Sequence, residues 1–258
     1  MGFLGALSYL AIKTIILNEV KNFFVEFQYN IIAPFFNTAI FIFILSTINK
    51  YYVFSNFEGS YINFLIPGII IAVVMQTSFG HLAKVIINMK QIGSFNDYLI
   101  SPISRSEIFL SFIISSLIVC LTVGFINIIL LSFFSDFKNI NYFSIFYYLT
   151  VTILIFSSIG AVVGFLSFTW DIESSVSNFF IVPISLLSGT FFSIDSLDKN
   201  WHFLFKYNPF YYLVDGFRSS FIINFKISIY NEIYICTVLI FSILISILVF
   251  RKGYRVIG

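Results

Sequence analysis

What most limits the architecture of this chain is a series of uninterrupted apolar blocks, each long enough to cross a bilayer. Six run approximately over 31–49, 61–82, 107–132, 143–168, 175–194 and 230–250. A helix needs about 20 apolar residues to span the hydrocarbon core. In lipid every backbone N–H and C=O must be satisfied within the protein, which leaves helices or the strands of a closed barrel. Barrel strands alternate polar and apolar over segments of about 10 residues. These blocks are continuous and about twice that length, so they read as helices. Charged residues make up only 10% of the chain, against about 25% in a soluble domain, too few to cover a water-facing surface. The expected fold is an all-α integral membrane protein with one transmembrane domain over 1–258.

The segments between and before the blocks fill in the plan. Residues 1–30 precede the first block, and 4–28 read as an amphipathic helix lying in the membrane interface. At 100° per residue Ile12, Ile16, Val20, Phe23, Phe24 and Phe27 share one face, and Asn18, Glu19, Lys21, Asn22 and Glu26 the other. Lys13 falls on the apolar side and must snorkel. Spans 1–5 occupy 31–194 and span 6 occupies 230–250. The stretch 195–229 between them is too polar to span and too aromatic for a free loop. It reads as short helices dipping into the outer leaflet, broken at Asn208-Pro209. Lys13, Lys21, Lys84, Lys90, Arg105, Arg251, Lys252 and Arg255 fall on one side of a six-span plan, which places both termini in the cytoplasm by the positive-inside rule. The first residues lack the basic stretch, apolar core and cleavage site of a secretory signal, so none is expected to be removed.

The absences narrow the chemistry. No Gly-x-x-x-x-Gly-Lys-Ser/Thr loop is present to cradle ATP phosphates, and no His-Glu-x-x-His, Cys-x-x-Cys or Gly-x-Ser-x-Gly pattern occurs. His81 and His202 are the only histidines and fall on opposite sides of the plan. Cys120 and Cys236 sit in apolar blocks, where free thiols behave as small hydrophobes. The net charge of +2 favours neither nucleic acid nor an acidic partner. Acidic residues sit at block ends or in loops, which argues against an ion-coupled carrier. The polar residues inside the blocks, Ser78, Ser115, Ser116, Asn127, Ser157, Ser158 and Ser185 among them, read first as helix–helix hydrogen bonds and second as a mildly polar path for an amphipathic substrate.

Four local patterns, in this order, carry a resemblance. Ile66-Pro67-Gly68 opens the second span. Ser101-Pro102-Ile103-Ser104-Arg105 precedes the third. Leu187-Ser188-Gly189-Thr190-Phe191-Phe192 closes the fifth. Asn208-Pro209-Phe210-Tyr211-Tyr212-Leu213-Val214-Asp215-Gly216-Phe217-Arg218 follows. Together they resemble the type-2 permease family of ABC exporters over nearly the whole chain. The resemblance implies a dimer of permeases, here a homodimer in an inner membrane, coupled to separate ATP-binding subunits. ATP and magnesium would then be handled by the partner, with no cofactor in this chain. It implies alternating access and a cargo of drug, lipid or glycan type. It also implies that the loop holding Phe95, Asp97, Tyr98, Leu99 and Arg105 contacts the ATPase. The residues themselves add physical reasons. Gly68 and Gly189 remove side chains where segments must approach closely. Asn208 before Pro209 is biased to an extended turn. Asp215 and Arg218, three apart on a helix with Gly216 between them, are placed to pair. The alternatives are an ATP-independent channel or secondary carrier, and an assembly subunit that transports nothing.

Overall fold

The computed structural model describes residues 2–51, 61–100, 103–134, 140–192, 194, 198–221 and 228–252. Among these residues the chain is helical, without strands. Helix α1 (Gly2–Val25) runs through a π-helical turn (Gln28–Ile32) into α2 (Ala33–Tyr51). Helices α3 (Tyr61–Ile92), the short α4 (Phe95–Ile100), α5 (Arg105–Ser132) and α6 (Tyr142–Leu166) follow. Helix α7 (Trp170–Val176) passes through a second π turn (Ser177–Ile181) into α8 (Val182–Leu187). Then come α9 (His202–Lys206), α10 (Pro209–Ser219) and α11 (Ile229–Lys252). Each π turn stands just before a proline, Pro34 or Pro183. A proline ring crowds the carbonyl four residues back, here that of Asn30 or Phe179, and widening the turn relieves the clash.

Helix α3 is the hub, packed against α6, α5, α10, α2 and α8. Lipid tails are as apolar as leucine, so helices associate in a bilayer through close packing and hydrogen bonds rather than the hydrophobic effect. The α3–α6 seam is built that way. A Cβ at Gly160 would run into the backbone of Phe79, and one at Gly164 would sit 3.0 Å from the Ala83 carbonyl oxygen. Gly160-x-x-x-Gly164 therefore lets two backbones touch, a pattern the sequence reading passed over. Ser116 and Ser157 share a hydrogen bond of 2.7 Å in the same interior, and Gln76 donates to Ser185 Oγ at 2.7 Å. Two of the serines and Ser185 thus serve as joints between helices.

Among the described residues five helices are long and apolar enough to cross a membrane: Gln28–Thr47, Tyr61–Ile92, Arg105–Leu130, Tyr142–Leu166 and Ile229–Lys252. The block at 175–194 is not among them. Its helix begins in the polar turn with Asp171 and Glu173 and stops at Leu187, which leaves a short apolar run. Helix α1 forms where it was expected, but its buried stripe differs from the arithmetic. Ile15, Glu19 and Phe23, four apart, turn inward, while Phe24 and Phe27 remain exposed. The reason is that α1 packs along α5, and the helix turns its inward face to that neighbour, whatever its polarity. Helices α2 and α11 expose Phe36, Phe43, Ile233, Phe241 and Leu248, a surface suited to lipid.

Candidate functional site

Three of the four sequence patterns meet at one end of the bundle, although the chain separates them widely. Helix α10 starts as its sequence dictates. Asn208 is extended before Pro209, and its Oδ1 accepts from the Phe210 N–H at 3.0 Å, capping the helix. The same side chain reaches outward, its Nδ2 donating to Ser188 Oγ at 3.2 Å. The cap therefore ties α10 to the turn after α8. In that turn Gly189 holds φ at +82°, a conformation costly to other residues, with the Tyr211 ring over it. Gly216 faces Tyr148 with no room for a side chain.

Arg218 closes the junction. It is 4% exposed. Its Nε donates to the Phe64 carbonyl at 3.0 Å, and its Nη2 to the carbonyls of Gly189 at 2.8 Å and Thr190 at 3.5 Å. The guanidinium carbon stands 3.7 Å from the centre of the Phe64 ring, a cation–π contact. Asp215, the expected partner, is 3.9 Å from Nη1, a longer and weaker contact than those to the carbonyls. Gly68 supplies the clearance, since a Cβ there would lie 2.8 Å from the Thr190 oxygen and 3.1 Å from Arg218 Nη2. Tyr61 adds a bond of 2.8 Å to the Phe191 carbonyl.

The opposite end holds the loop between α3 and α5. Phe95 is buried, with its ring centroid 6.2 Å from those of Phe165 in α6 and Phe250 in α11. It anchors α4 to its own chain. Tyr98 is half-buried, edge-on to Phe112. Burial, then the charges of Glu19 and Asp97, raises its phenol above the usual range. Asp97 and Ile100 point outward, as does Arg105, which donates from Nη1 to the Arg251 carbonyl at 3.0 Å. Leu99 lies within α4. Ser101 and Pro102 lie outside the described residues. Ser104 and Glu107 form a capping box at the start of α5, with bonds of 2.8 and 3.3 Å; the Ser-x-x-Glu spacing was visible in the sequence. Lys90, read there only as a topology charge, inserts its ammonium among the carbonyls of Gly164, Phe165 and Ser167 at 2.9, 2.7 and 2.7 Å. It caps the negative end of α6.

The bundle, the buried Arg218 junction and the capped loop end define a helical membrane protein with no constellation for covalent chemistry among its described residues. The chain belongs to the ABC-2 type transporter family, whose model matches residues 10–222. It is a membrane transport permease by class. It is 24% identical over 216 residues to the inner membrane transport permease YadH of Escherichia coli K12, covering 84% of each chain. The YadH proteins of Escherichia coli O157:H7 and Shigella flexneri match to the same extent.

Proposed function

We propose that this chain is the membrane-spanning subunit of an ATP-driven exporter. It works as a homodimer in an inner membrane, with both termini cytoplasmic and a separate ATP-binding subunit on that side. The run α7–α8 completes a sixth crossing, and α9–α10 form a re-entrant pair held by Arg218. Helix α1 lies at the interface. The observation that carries this reading is the mounting of α4. Phe95 packs edge-on against both Phe165 and Phe250, which stack on each other at 4.8 Å, so a push on α4 moves α6 and α11 together, while Asp97 and Ile100 face outward to receive it. ATP closure of the partner would press there, and the dimer would open toward the far side. Charge supports the same orientation, since Lys21, Lys84, Lys90, Arg105, Arg251 and Lys252 gather at this end. A carrier driven by an ion gradient is less well supported: α6 holds no charged residue, and α11 keeps its acid in the first turn.

Site-directed crosslinking tests the coupling. With the ATP-binding subunit co-expressed, Asp97→Cys and Ile100→Cys should crosslink to it, and Phe95→Cys should not. An intact complex in which neither exposed position reacts would refute the assignment of α4.

A further inference from the structure

A cavity of about 660 Å³ opens at the α4 end, between α1 with its π turn, α3, α4 and the start of α7. Glu19 forms part of its wall and is only 5% exposed. Among the described residues its carboxylate makes no hydrogen bond and no ion pair. A buried charge without a partner is costly, and burial alone pushes Glu19 up to about 7. The titratable groups around it do not relieve it. Glu26 follows on its own helix, His81 and Lys84 come from α3, and Tyr98 from α4. Lys84 forms no ion pair with Glu19, and its charge acts on Glu173 of α7, whose carboxylate it draws down against the dominant upward effect of burial.

The rest of the lining is also short of cations and rich in acceptors and rings. Asn30 and Gln76 spend their amide donors on the protein, on the Phe23 carbonyl at 3.1 Å and Ser185 Oγ at 2.7 Å, leaving their amide oxygens as acceptors. Phe23, Tyr29 and Trp170 add aromatic surface. A cation carried on an organic body suits both features, since rings attract cations as carboxylates do.

We propose that this cavity binds a cationic amphiphile, with its ammonium group on the Glu19 carboxylate and its apolar body against Phe23, Tyr29 and Trp170. The proposal names a cargo class and rests on the permease reading. A neutral or anionic amphiphile would leave Glu19 unpaired.

The test is an equilibrium binding measurement on the full chain in nanodiscs of phosphatidylcholine, which carries no net charge. The probes are dansylcadaverine, a primary amine, and its N-acetylated neutral form. At pH 8 the wild type should prefer the amine by about tenfold, a difference of about 1.4 kcal/mol. Glu19→Gln should abolish the preference, and Glu19→Asp should keep part of it. In the wild type the preference should fall between pH 8 and pH 5.5 as the carboxylate takes up its proton. That titration needs no variant, so it decides the matter even if the substituted chains fold poorly. Equal binding of the two probes at pH 8, a preference that survives Glu19→Gln, or a preference flat across that pH range would each overturn the proposal. No ATPase and no transport enter the measurement. A failure of crosslinking at Asp97 would leave the cation site standing, and equal probe binding would leave the coupling reading standing.

Discussion

At the α10 end Arg218 gathers carbonyls from separate parts of the chain, Phe64 of α3 and Gly189 and Thr190 beyond α8. At the α4 end Lys90 gathers carbonyls that all belong to the close of one helix, α6, at Gly164, Phe165 and Ser167. Both cations donate to backbone oxygens that the folded bundle brings together. The geometry of the side chains separates them. A guanidinium is a planar fork whose donors point in fixed directions, so it can bridge elements and stack on the Phe64 ring as well. An ammonium is a compact charge with three rotatable donors, fitted to a converging cluster of oxygens such as a helix terminus. One cation therefore assembles tertiary structure; the other finishes secondary structure while fastening α3 to α6.

The comparison breaks first at Arg218. Arg218→Met leaves three carbonyls from two segments without this donor in a buried setting, and the expected loss is about 3–5 kcal/mol, on the scale of breaking a buried charged contact. Thermal unfolding of the purified chain in lipid measures it. Arg218→Lys should recover only a minor part, because one ammonium cannot serve both Phe64 and Gly189 with the fork's spacing. Full recovery by lysine would mean that charge alone, and not the bridge, holds α10. Charge reversal, Arg218→Glu, should be worse than methionine.

A smaller effect is expected at Gly68, and it sharpens the same point. Alanine there puts a Cβ 2.8 Å from the Thr190 oxygen, an overpacking of about 1–3 kcal/mol. Since the displaced atoms are those that Arg218 binds, Gly68→Ala and Arg218→Met should be less than additive in combination. Strict additivity would show that the two residues act independently.

How much of this was legible in the sequence depended on the kind of signal. The membrane helices follow from hydropathy, which needs only the length and composition of a block, and all five candidate spans lie on expected blocks. The block at 175–194 was harder to read, because its apolar residues continue a helix that starts among Asp171 and Glu173. The ordered patterns around Gly68, Gly189 and Arg218 could be found along the chain, but their meeting could not. It depends on contacts between residues 20 to 154 apart, and periodicity carries no information at that range. On α1 the arithmetic put Phe23 inward, as found, and Glu19 outward. It finds an apolar stripe without knowing what the helix packs against, and Glu19 lies buried in a cavity wall. Phe95 poses the same ambiguity, since an aromatic residue in a polar loop reads alike whether it docks on a partner or on its own bundle. Gly160-x-x-x-Gly164 and the Ser104–Glu107 capping box were written in plain local spacing and could have been found.

The smallest effect belongs to Lys90, where the comparison can be tested from the other side. Its three acceptors are the last carbonyls of α6, near the end of the bundle, where water can replace part of what the ammonium provides. Lys90→Met should therefore cost about 1–2 kcal/mol, the combined scale of a charged hydrogen bond and a cation at a helix C-terminus. Because the acceptors converge within one turn, Lys90→Arg has no second element to bridge and should restore most of the loss, unlike lysine in place of Arg218. Hydrogen exchange locates the damage: Lys90→Met should speed exchange in the last turns of α6 and leave α10 protected, whereas Arg218→Met should expose α10 and leave the end of α6 unchanged. Loss of protection in α10 on replacing Lys90 would mean that the ends of the bundle are coupled through α3 and α6, and the distinction between a bridging cation and a capping one would then fail.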